Sequence, residues 1–263
     1  MQITFLGTGT SGGVPTIGCG CAVCRSADPR DKRFRSSLYV REEGTHVVID
    51  TTPDFRSQAL RFGVQRVDAV LFTHSHADHM FGFDDIRRYN VIQNAVIPAY
   101  ANAEGIADLK RVFNYVGTEE LPGLYRPRVA FRVLEGPVEI GPLRVRPLPV
   151  EHGPKPTLCF RVEGRDASIG YAPDCHAMPP ETVQHLRGVD VMILDALKPT
   201  PHPTHLALAE SLDLLAEISP GRAAYLIHMC HRIGHAATER ALPPGVHLSC
   251  DGLQLELPGE PGA

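Results

Sequence analysis

Short apolar runs that end at polar residues recur along this chain of 263 residues. They predict buried strands at residues 3–6, 37–40, 46–49, 69–72, 145–150, 167–171, 191–194 and 223–227. Other stretches predict helices at about 54–62, ended by Gly63, from 83 to 88, and at 206–218 with Thr204 as its N-cap. Strands and helices intermix without a fixed repeat, which favours an α/β fold built in layers.

Apolar residues make up 43% of the chain, enough for a substantial core. The best candidate for a connection within the chain, residues 118–123, is too short to mark a domain boundary. We therefore expect a single domain over residues 1–263.

The most concentrated chemistry follows the apolar run at 69–72. Three imidazoles and a carboxylate lie within six residues there, as His74, His76, Asp78 and His79. Neutral imidazole and carboxylate are ligands of first-row metals, and the ends of strands in α/β proteins are where ligands gather. The pattern predicts a metal site rather than a solvated polar loop.

Predicted strands in the second half of the chain deliver similar residues to their C-terminal ends, as His152, Asp174, Asp195 and His228. A dinuclear site needs about three ligands for each ion and a bridge between them. Asp50 and Asp195 are interpreted as groups that orient ligand histidines, with capping or turn stabilisation as the alternative. The ligand candidates are then His74, His76, Asp78, His79, His152, Asp174 and His228.

Seven cysteines, an odd number, do not suggest a secreted disulfide framework. Cys19, Cys21 and Cys24 form a C-x-C-x-x-C pattern, which suits a tetrahedral zinc but leaves it one ligand short. Three free buried cysteines are the alternative. The glycine-rich residues 7–13 have no lysine at P-loop spacing and predict a tight turn with positive φ rather than a phosphate cradle.

The charge pattern limits the partners. The net charge is −4, tryptophan is absent and no basic run is present, so we expect neither an extended nucleic acid nor a lipid surface as partner. The chain contains no run of about 18 apolar residues, so no membrane span is predicted. The apolar stretch at residues 1–7 is too short and too soon interrupted to be the hydrophobic region of a signal peptide. A cytoplasmic location is the expectation.

The sequence H-x-H-x-D-H at 74–79, followed by isolated His152, Asp174 and His228, resembles the metallo-β-lactamase superfamily. The added cysteine cluster and the His-Met-Cys-His sequence at 228–231 resemble, more narrowly, the phosphoribosyl cyclic phosphate phosphodiesterases of carbon–phosphorus lyase pathways, relatives of the tRNA 3′-processing nucleases. The similarity covers nearly the whole chain. It implies a four-layer αββα sandwich with a dinuclear site at one edge.

The resemblance also implies the distribution of ligands. It assigns one ion to His74, His76 and His152. It assigns the other ion to Asp78, His79 and His228, with Asp174 bridging.

For the structural zinc, the resemblance implies His231 as the fourth ligand beside the three cysteines, with Cys230 and His235 as rivals. It points to His205 as a general acid, and the catalytic residues are expected to be Asp78 and His205. The alternatives are His202 as the acid, or His205 as a surface histidine at a helix N-terminus.

The implied activity is that of a metal-dependent phosphodiesterase, which cleaves a small cyclic or linear sugar or nucleotide phosphodiester with a metal-bridging hydroxide. Two manganese or zinc ions, two aspartates and a hydroxide leave a charge of about +1, which suits an anionic substrate. One structural zinc is expected as well, and a homodimer is left open. The alternatives are a thioester or lactone hydrolase, a protein of pyrroloquinoline quinone biosynthesis, or a non-catalytic metal-binding module. A tRNA-processing role is disfavoured because no arm insertion or basic patch is present.

Overall fold

The structure is a computed structural model that describes residues 1–119, 123 and 125–257. Its strands, in chain order, are β1 (Gln2–Gly7), β2 (Ser37–Glu42), β3 (Thr45–Ile49), β4 (Ala69–Leu71), β5 (Ile97–Ala101), β6 (Val129–Val133), β7 (Val138–Ile140), β8 (Leu143–Val150), β9 (Thr157–Glu163), β10 (Ser168–Ala172), β11 (Val191–Asp195), β12 (Ala223–Ile227), β13 (Val246–Leu248) and β14 (Gln254–Glu256).

The helices occupy the connections between these strands. They are α1 (Ala22–Arg25), α2 (Phe55–Phe62), α3 (Ala77–Met80), α4 (Ile86–Gln93), α5 (Ala103–Val112), α6 (Pro180–Leu186), α7 (Leu208–Ile218) and α8 (His235–Glu239), with 3₁₀ turns at Pro29–Asp31 and Phe83–Asp85.

The strands form two seven-stranded sheets, in the spatial orders β14-β1-β2-β3-β4-β5-β6 and β13-β12-β11-β10-β9-β8-β7. The strands from β3 to β6 are parallel, and so are those from β10 to β13. Because β8 and β10 both pair antiparallel with β9, β8 runs in the same direction as β10. Within each sheet, these shared directions bring several C-terminal strand ends to one edge.

The side chains alternate between two sides of each sheet. In β3, Val47 and Ile49 belong to a buried cluster that contains residues of both sheets, whereas Val48 belongs to a cluster with α2, α4 and α5. A third cluster joins the outer face of the second sheet to α6 and α7. This period of two produces a core between the sheets and an outer core under each helical layer. The four-layer αββα sandwich is confirmed.

All eight predicted strands are present, with ends within two residues of the prediction. The helix predicted to stop at Gly63 ends there, in a left-handed conformation with φ 69°. The segment predicted as helical from 83 to 88 is a 3₁₀ turn followed by α4. Of the predicted connection at 118–123, residues 120–122 lie outside the described residues.

The start of α7 differs from the prediction. The helix begins at Leu208, and its N-cap is Ala207, so the assignment of Thr204 as the cap is wrong. Ala207 has extended backbone angles (φ −76°, ψ 161°), which end any helix before it. Its N–H donates to the Glu210 carboxylate at 2.7 Å and satisfies a backbone donor at the helix start.

The glycine-rich turn has two different requirements. Gly13 has a positive φ of 63°, as predicted for a tight turn. Gly7 and Gly9 are instead required by close packing, since a Cβ on Gly7 would collide with the carbonyl oxygen of Arg35 and one on Gly9 would lie 2.8 Å from Cβ of Arg33. The turn therefore presses against the segment at residues 33–35.

Among the described residues, no helix combines the length and the apolar character needed to cross a bilayer.

The buried carboxylate of Asp251, which lies near the C-terminal end of the described residues, contacts the glycine-rich turn. Asp251 accepts a hydrogen bond from Thr8 Oγ1 at 2.8 Å and another from the Phe34 N–H at 2.6 Å. Burial raises the pKa of this carboxyl to about 7, in spite of the two hydrogen bonds. Because the folded pKa lies above the ordinary value of 3.8, the folded state binds the proton more tightly than the unfolded chain.

The Asp251→Asn variant keeps an acceptor for Phe34 and removes the titration. The free energy of unfolding of the wild type should therefore fall relative to that of the variant as pH rises from about 4 to about 7, by an amount on the order of 1 kcal/mol or more. Urea unfolding of chelator-treated protein across this range measures the difference. The exposed Asp213→Asn variant should follow the wild type, and a constant gap between wild type and Asp251→Asn would contradict the assignment.

Candidate metal centre

Loops from both sheets bring the predicted ligands together at one edge of the sandwich. The loop after β4 supplies His74 and His76, and the short helix α3 supplies Asp78 and His79. The loops after β8, β10 and β12 supply one ligand candidate each, which are His152, Asp174 and His228. The seven side chains form two groups whose ligand atoms lie within 4.8 Å of one another. The first ligand group contains His74, His76 and His152; the second contains Asp78, His79, Asp174 and His228.

The first ligand group is compact. His74 Nε2 lies 2.8 Å from His76 Nδ1, and His152 Nε2 lies 3.3 Å from the same atom. Asp174 Oδ2 lies 4.0 Å from His74 Nε2 and 3.4 Å from His152 Nε2. Three imidazole nitrogens and one carboxylate oxygen thus surround one point.

The second ligand group uses the other oxygen of the same carboxylate. Asp174 Oδ1 lies 3.1 Å from His79 Nε2 and 3.4 Å from His228 Nε2. Asp78 Oδ2 lies 3.3 Å from His79 Nε2 and 3.8 Å from His228 Nε2. Asp174 therefore offers one oxygen to each group, which is the geometry that a bridging ligand requires.

Unsatisfied buried atoms show that this donor set fits metal ions. His79 Nε2, Asp174 Oδ1 and His228 Nε2 are buried and have no hydrogen-bond partner within the described part of the chain. Such atoms cost about 1–3 kcal/mol each unless another partner satisfies them. Cations at the two groups would satisfy all three, and imidazole with carboxylate suits divalent zinc, manganese or iron.

The electrostatics also favour cations. Burial opposes a charge on His79, but Asp174, Asp78 and Asp50 raise its pKa well above the ordinary value. Burial also opposes the charge on Asp174, yet the facing imidazoles hold its pKa well below the usual range. Burial lowers the pKa of His74 well below its ordinary value, which leaves a neutral imidazole suited to a metal. The carboxylates therefore stay ionised in a buried site that attracts positive charge.

Asp50 supports both groups from outside. Its Oδ2 lies 2.8 Å from His79 Nδ1 and accepts a hydrogen bond of 2.8 Å from Thr73 Oγ1. Because that hydroxyl donates to Asp50, it accepts from His74 Nδ1 at 3.0 Å. Both histidines are thereby held with Nε2 free for a metal. Sequence reasoning missed the relay through Thr73, although its position directly before the first histidine was a signal.

Backbone features orient two further ligands. His152 Nδ1 donates to the carbonyl oxygen of Thr204 at 2.8 Å, which leaves Nε2 facing the first ligand group. A carbonyl acceptor has no sequence signature, so this contact could not have been predicted. His228 has a positive φ of 60°. For a residue other than glycine this backbone conformation costs about 1–3 kcal/mol, and such strained residues cluster at functional sites.

His205 lies over the two groups. Its ring centroid is 4.6 Å from that of His152 and 4.7 Å from that of His228, and its Nε2 is 3.9 Å from Asp174 Oδ2. Its Nδ1 lies 2.6 Å from Asp195 Oδ2. Asp195 was expected to orient a ligand histidine, but in the structure its Oδ2 contacts His205 and also accepts a hydrogen bond from the Cys175 N–H at 3.0 Å.

The environment of His205 disfavours its charged form. Burial, followed by the neighbouring His228, lowers the pKa of His205 to about 4. The residue is only 8% exposed, so it is not the surface histidine of the alternative interpretation. His202 lies farther out, with its ring centroid 5.3 Å from that of His205.

The cysteine cluster forms a separate site. The Sγ atoms of Cys19, Cys21 and Cys24 lie 3.1, 3.5 and 3.6 Å from His231 Nδ1. Tetrahedral zinc with its usual bond lengths places sulfur and nitrogen ligands roughly 3.5 Å apart. The backbone N–H of Cys24 is the main cause that lowers the pKa of Cys21 to about 6. These four side chains therefore fit a closed zinc site.

The rivals for the fourth position lie outside this cluster. Neither Cys230 nor His235 joins the three cysteines among the groups of the described residues that could hold an ion. The structure thus brings His231 to the cysteines, at the position that the resemblance implied.

Comparisons with known proteins agree with this architecture. A family model described as a β-lactamase superfamily domain matches residues 45–229. A crystal structure described as a new diphosphatase from the PhnP family is 40% identical, with a TM-score of 0.89 and 98% of each chain covered. Zinc-bound PqqB from Methylobacterium extorquens is 20% identical, with a TM-score of 0.81 over 98% of this chain and 100% of the other, a similarity of fold.

One curated relative also matches nearly the whole of this chain. An octanoyltransferase of Porphyromonas gingivalis is 32% identical over 97% of this chain and 51% of its own length. The chain spans about half the length, or less, of the first curated relatives that it matches.

The zinc assignment predicts a selective loss of metal. The His231→Ala variant should contain one zinc fewer per chain than the wild type and should melt at a lower temperature, because a structural zinc contributes folding free energy directly. Elemental analysis of purified protein and thermal unfolding measure the two effects. The variants Cys230→Ser and His235→Ala are the matched controls and should keep the zinc. A His231→Ala protein with unchanged zinc content would show the assignment to be wrong.

Proposed function

Because the chain belongs to the β-lactamase superfamily and, within it, to the PhnP family, we propose that it is a dinuclear metal-dependent phosphodiesterase. Its substrate is a small cyclic or linear sugar or nucleotide phosphodiester. The observation that carries the proposal is the Asp174 carboxylate, which lies 3.1 Å from His79 through Oδ1 and 3.4 Å from His152 through Oδ2.

The charge of the site supports an anionic substrate. Two divalent ions would outweigh the negative charges of Asp78 and Asp174, and a loaded site with net positive charge attracts a phosphate more strongly than a neutral ester or lactone. When bound, the ions would polarise the phosphoryl oxygens and lower the pKa of water. The other requirement is a proton for the leaving oxygen.

His205 is the group that supplies this proton. Its Nε2 points toward the Asp174 carboxylate, and its Nδ1 is held by Asp195, so a proton at Nε2 faces the reacting region. Burial lowers the pKa of the imidazole, whereas the negative charge of a bound phosphate opposes that shift. As water attacks phosphorus and the bond to the leaving oxygen breaks, the proton passes from Nε2 to that oxygen. The attacking water gives up a proton to solvent, and His205 takes up a proton from solvent before the next turnover.

A diphosphate linkage is a second candidate substrate. The 40% identical protein of the PhnP family is described as a diphosphatase, and a phosphoanhydride presents the same anionic phosphoryl group to the two ligand groups. A substrate panel should therefore contain cyclic phosphodiesters, linear phosphodiesters, disubstituted diphosphates, a thioester and a lactone.

We expect the protein to hydrolyse at least one phosphodiester or diphosphate of this panel in the presence of manganese or zinc. The Asp78→Ala variant should remain folded and lose turnover on the order of 10³-fold, since stabilisation by a metal ion is worth several kcal/mol. The exposed Asp166→Ala variant is the matched control and should keep full activity. If the protein with both ions bound hydrolyses only the thioester or the lactone, the phosphodiesterase proposal is wrong.

The role of His205 predicts a dependence on the leaving group. The His205→Ala variant should lose about 10²–10⁴-fold in kcat for a substrate with an alkyl alcohol as leaving group and much less for one with a nitrophenol, because a nitrophenolate needs no proton. Parallel kinetics on the two substrates measure the ratio. The His202→Ala variant should change neither rate, and an equal loss on both substrates in His205→Ala would contradict the acid role.

A further inference from the structure

A cluster of hydrogen bonds lies beside the first ligand group, on a helix that supplies no ligand. Ser75 Oγ donates to Asp108 Oδ2 on α5 at 2.5 Å. Ser75 stands between His74 and His76 in the chain, so this bond anchors the backbone that carries both imidazoles. The support comes from a part of the molecule 33 residues away in the sequence.

The same helix anchors the loop that carries the third ligand. Lys155 Nζ donates to Asp108 Oδ2 at 2.7 Å, the oxygen that also accepts from Ser75. Lys155 follows His152 by three residues. Asn102, the N-cap of α5, donates through Nδ2 to the carbonyl oxygen of Pro156 at 2.8 Å. The first two turns of α5 therefore bind both loops of the first ligand group.

His76 has particular need of this support. Its Nδ1 faces the first ligand group, and within the described residues no hydrogen bond to its Nε2 orients the ring. His74 and His152, by contrast, are each held at Nδ1 by an oxygen. The orientation of His76 thus depends on its backbone, which Ser75 ties to α5.

These contacts differ from an ordinary surface ion pair. Exposed pairs contribute little, but the Asp108 side chain is only 14% exposed and the Lys155 side chain 28%. One oxygen accepts from both loops, so a shift of either loop disturbs the other. We propose that Asp108 is a positioning residue that sets the affinity of the first ligand group for its ion, through Ser75 and Lys155. The inference rests on the dinuclear centre of the proposed function but not on the identity of the substrate.

The experiment separates the two ligand groups. The Asp78→Ala background removes a ligand from the second ligand group, so titration with Co²⁺ measures binding at the first ligand group. The His76→Ala background removes a ligand from the first ligand group, so the same titration measures binding at the second ligand group. Chelator-treated protein is used, and the thiolate charge-transfer band of cobalt at the cysteine site accounts for ions bound there. Adding Asp108→Ala should weaken Co²⁺ binding about 10- to 100-fold in the first background and leave it unchanged in the second.

Two further variants control the result. Ser75→Ala removes the hydroxyl contact alone and should also weaken binding in the Asp78→Ala background, and it serves as the test if Asp108→Ala does not fold. Glu104→Gln alters the other carboxylate that contacts Lys155, at 2.6 Å, and should leave the affinity within about twofold. Thermal unfolding verifies that each protein is folded.

The outcomes are distinguishable. Equal weakening in both backgrounds would indicate a general structural effect and would overturn the inference, as would unchanged Co²⁺ binding in the Asp78→Ala background. Either result leaves the proposed function standing. Folded wild-type protein that binds no Co²⁺ outside the cysteine site would instead overturn the dinuclear centre, and the inference with it.

Discussion

The carboxylate of Asp174 is the contact on which the rest of the site depends. It is buried, and its two oxygens face two groups of imidazoles that come from different loops and from both sheets. A buried charge of this kind is stable only with opposite charge or strong hydrogen bonds around it. The fold meets that requirement because β4, β8, β10 and β12 all end at the same edge of the sandwich, where their following residues converge.

Around that carboxylate, hydrogen bonds to oxygen atoms hold four of the rings, those of His74, His79, His152 and His205. Asp50 orients one histidine directly and another through a threonine hydroxyl, while the carbonyl of Thr204 orients His152. Asp195 binds His205. Only oxygen atoms hold the outer nitrogens of these rings, so each ring presents its other nitrogen inward. These hydrogen bonds thus fix the orientation of the four rings.

The cysteine cluster and the second ligand group share one segment of chain. His228 belongs to the second ligand group and His231 to the cysteine cluster. Between them, the Met229 N–H donates to the carbonyl oxygen of Thr8 at 3.0 Å, which ties this segment to the glycine-rich turn. A zinc bound at the cysteines would therefore also stiffen the segment that carries His228.

The sequence alone determined the elements with strong local signals. Eight strands and the end of α2 at Gly63 were predicted because apolar runs and a left-handed glycine act within a few residues, and the H-x-H-x-D-H motif places its ligands locally. Strands such as β7, β13 and β14 have three residues each, too few to show a period of two, and β5 contains Pro98, a residue that is uncommon inside strands. Which ligands share an ion, which residue joins the cysteines and which oxygen holds each imidazole are contacts between distant segments. The family resemblance implied the ligand groups and His231, but the pattern of residues by itself did not. The oxygen that holds each imidazole came only from the tertiary structure, because these contacts arise where the two sheets bring distant segments to one edge.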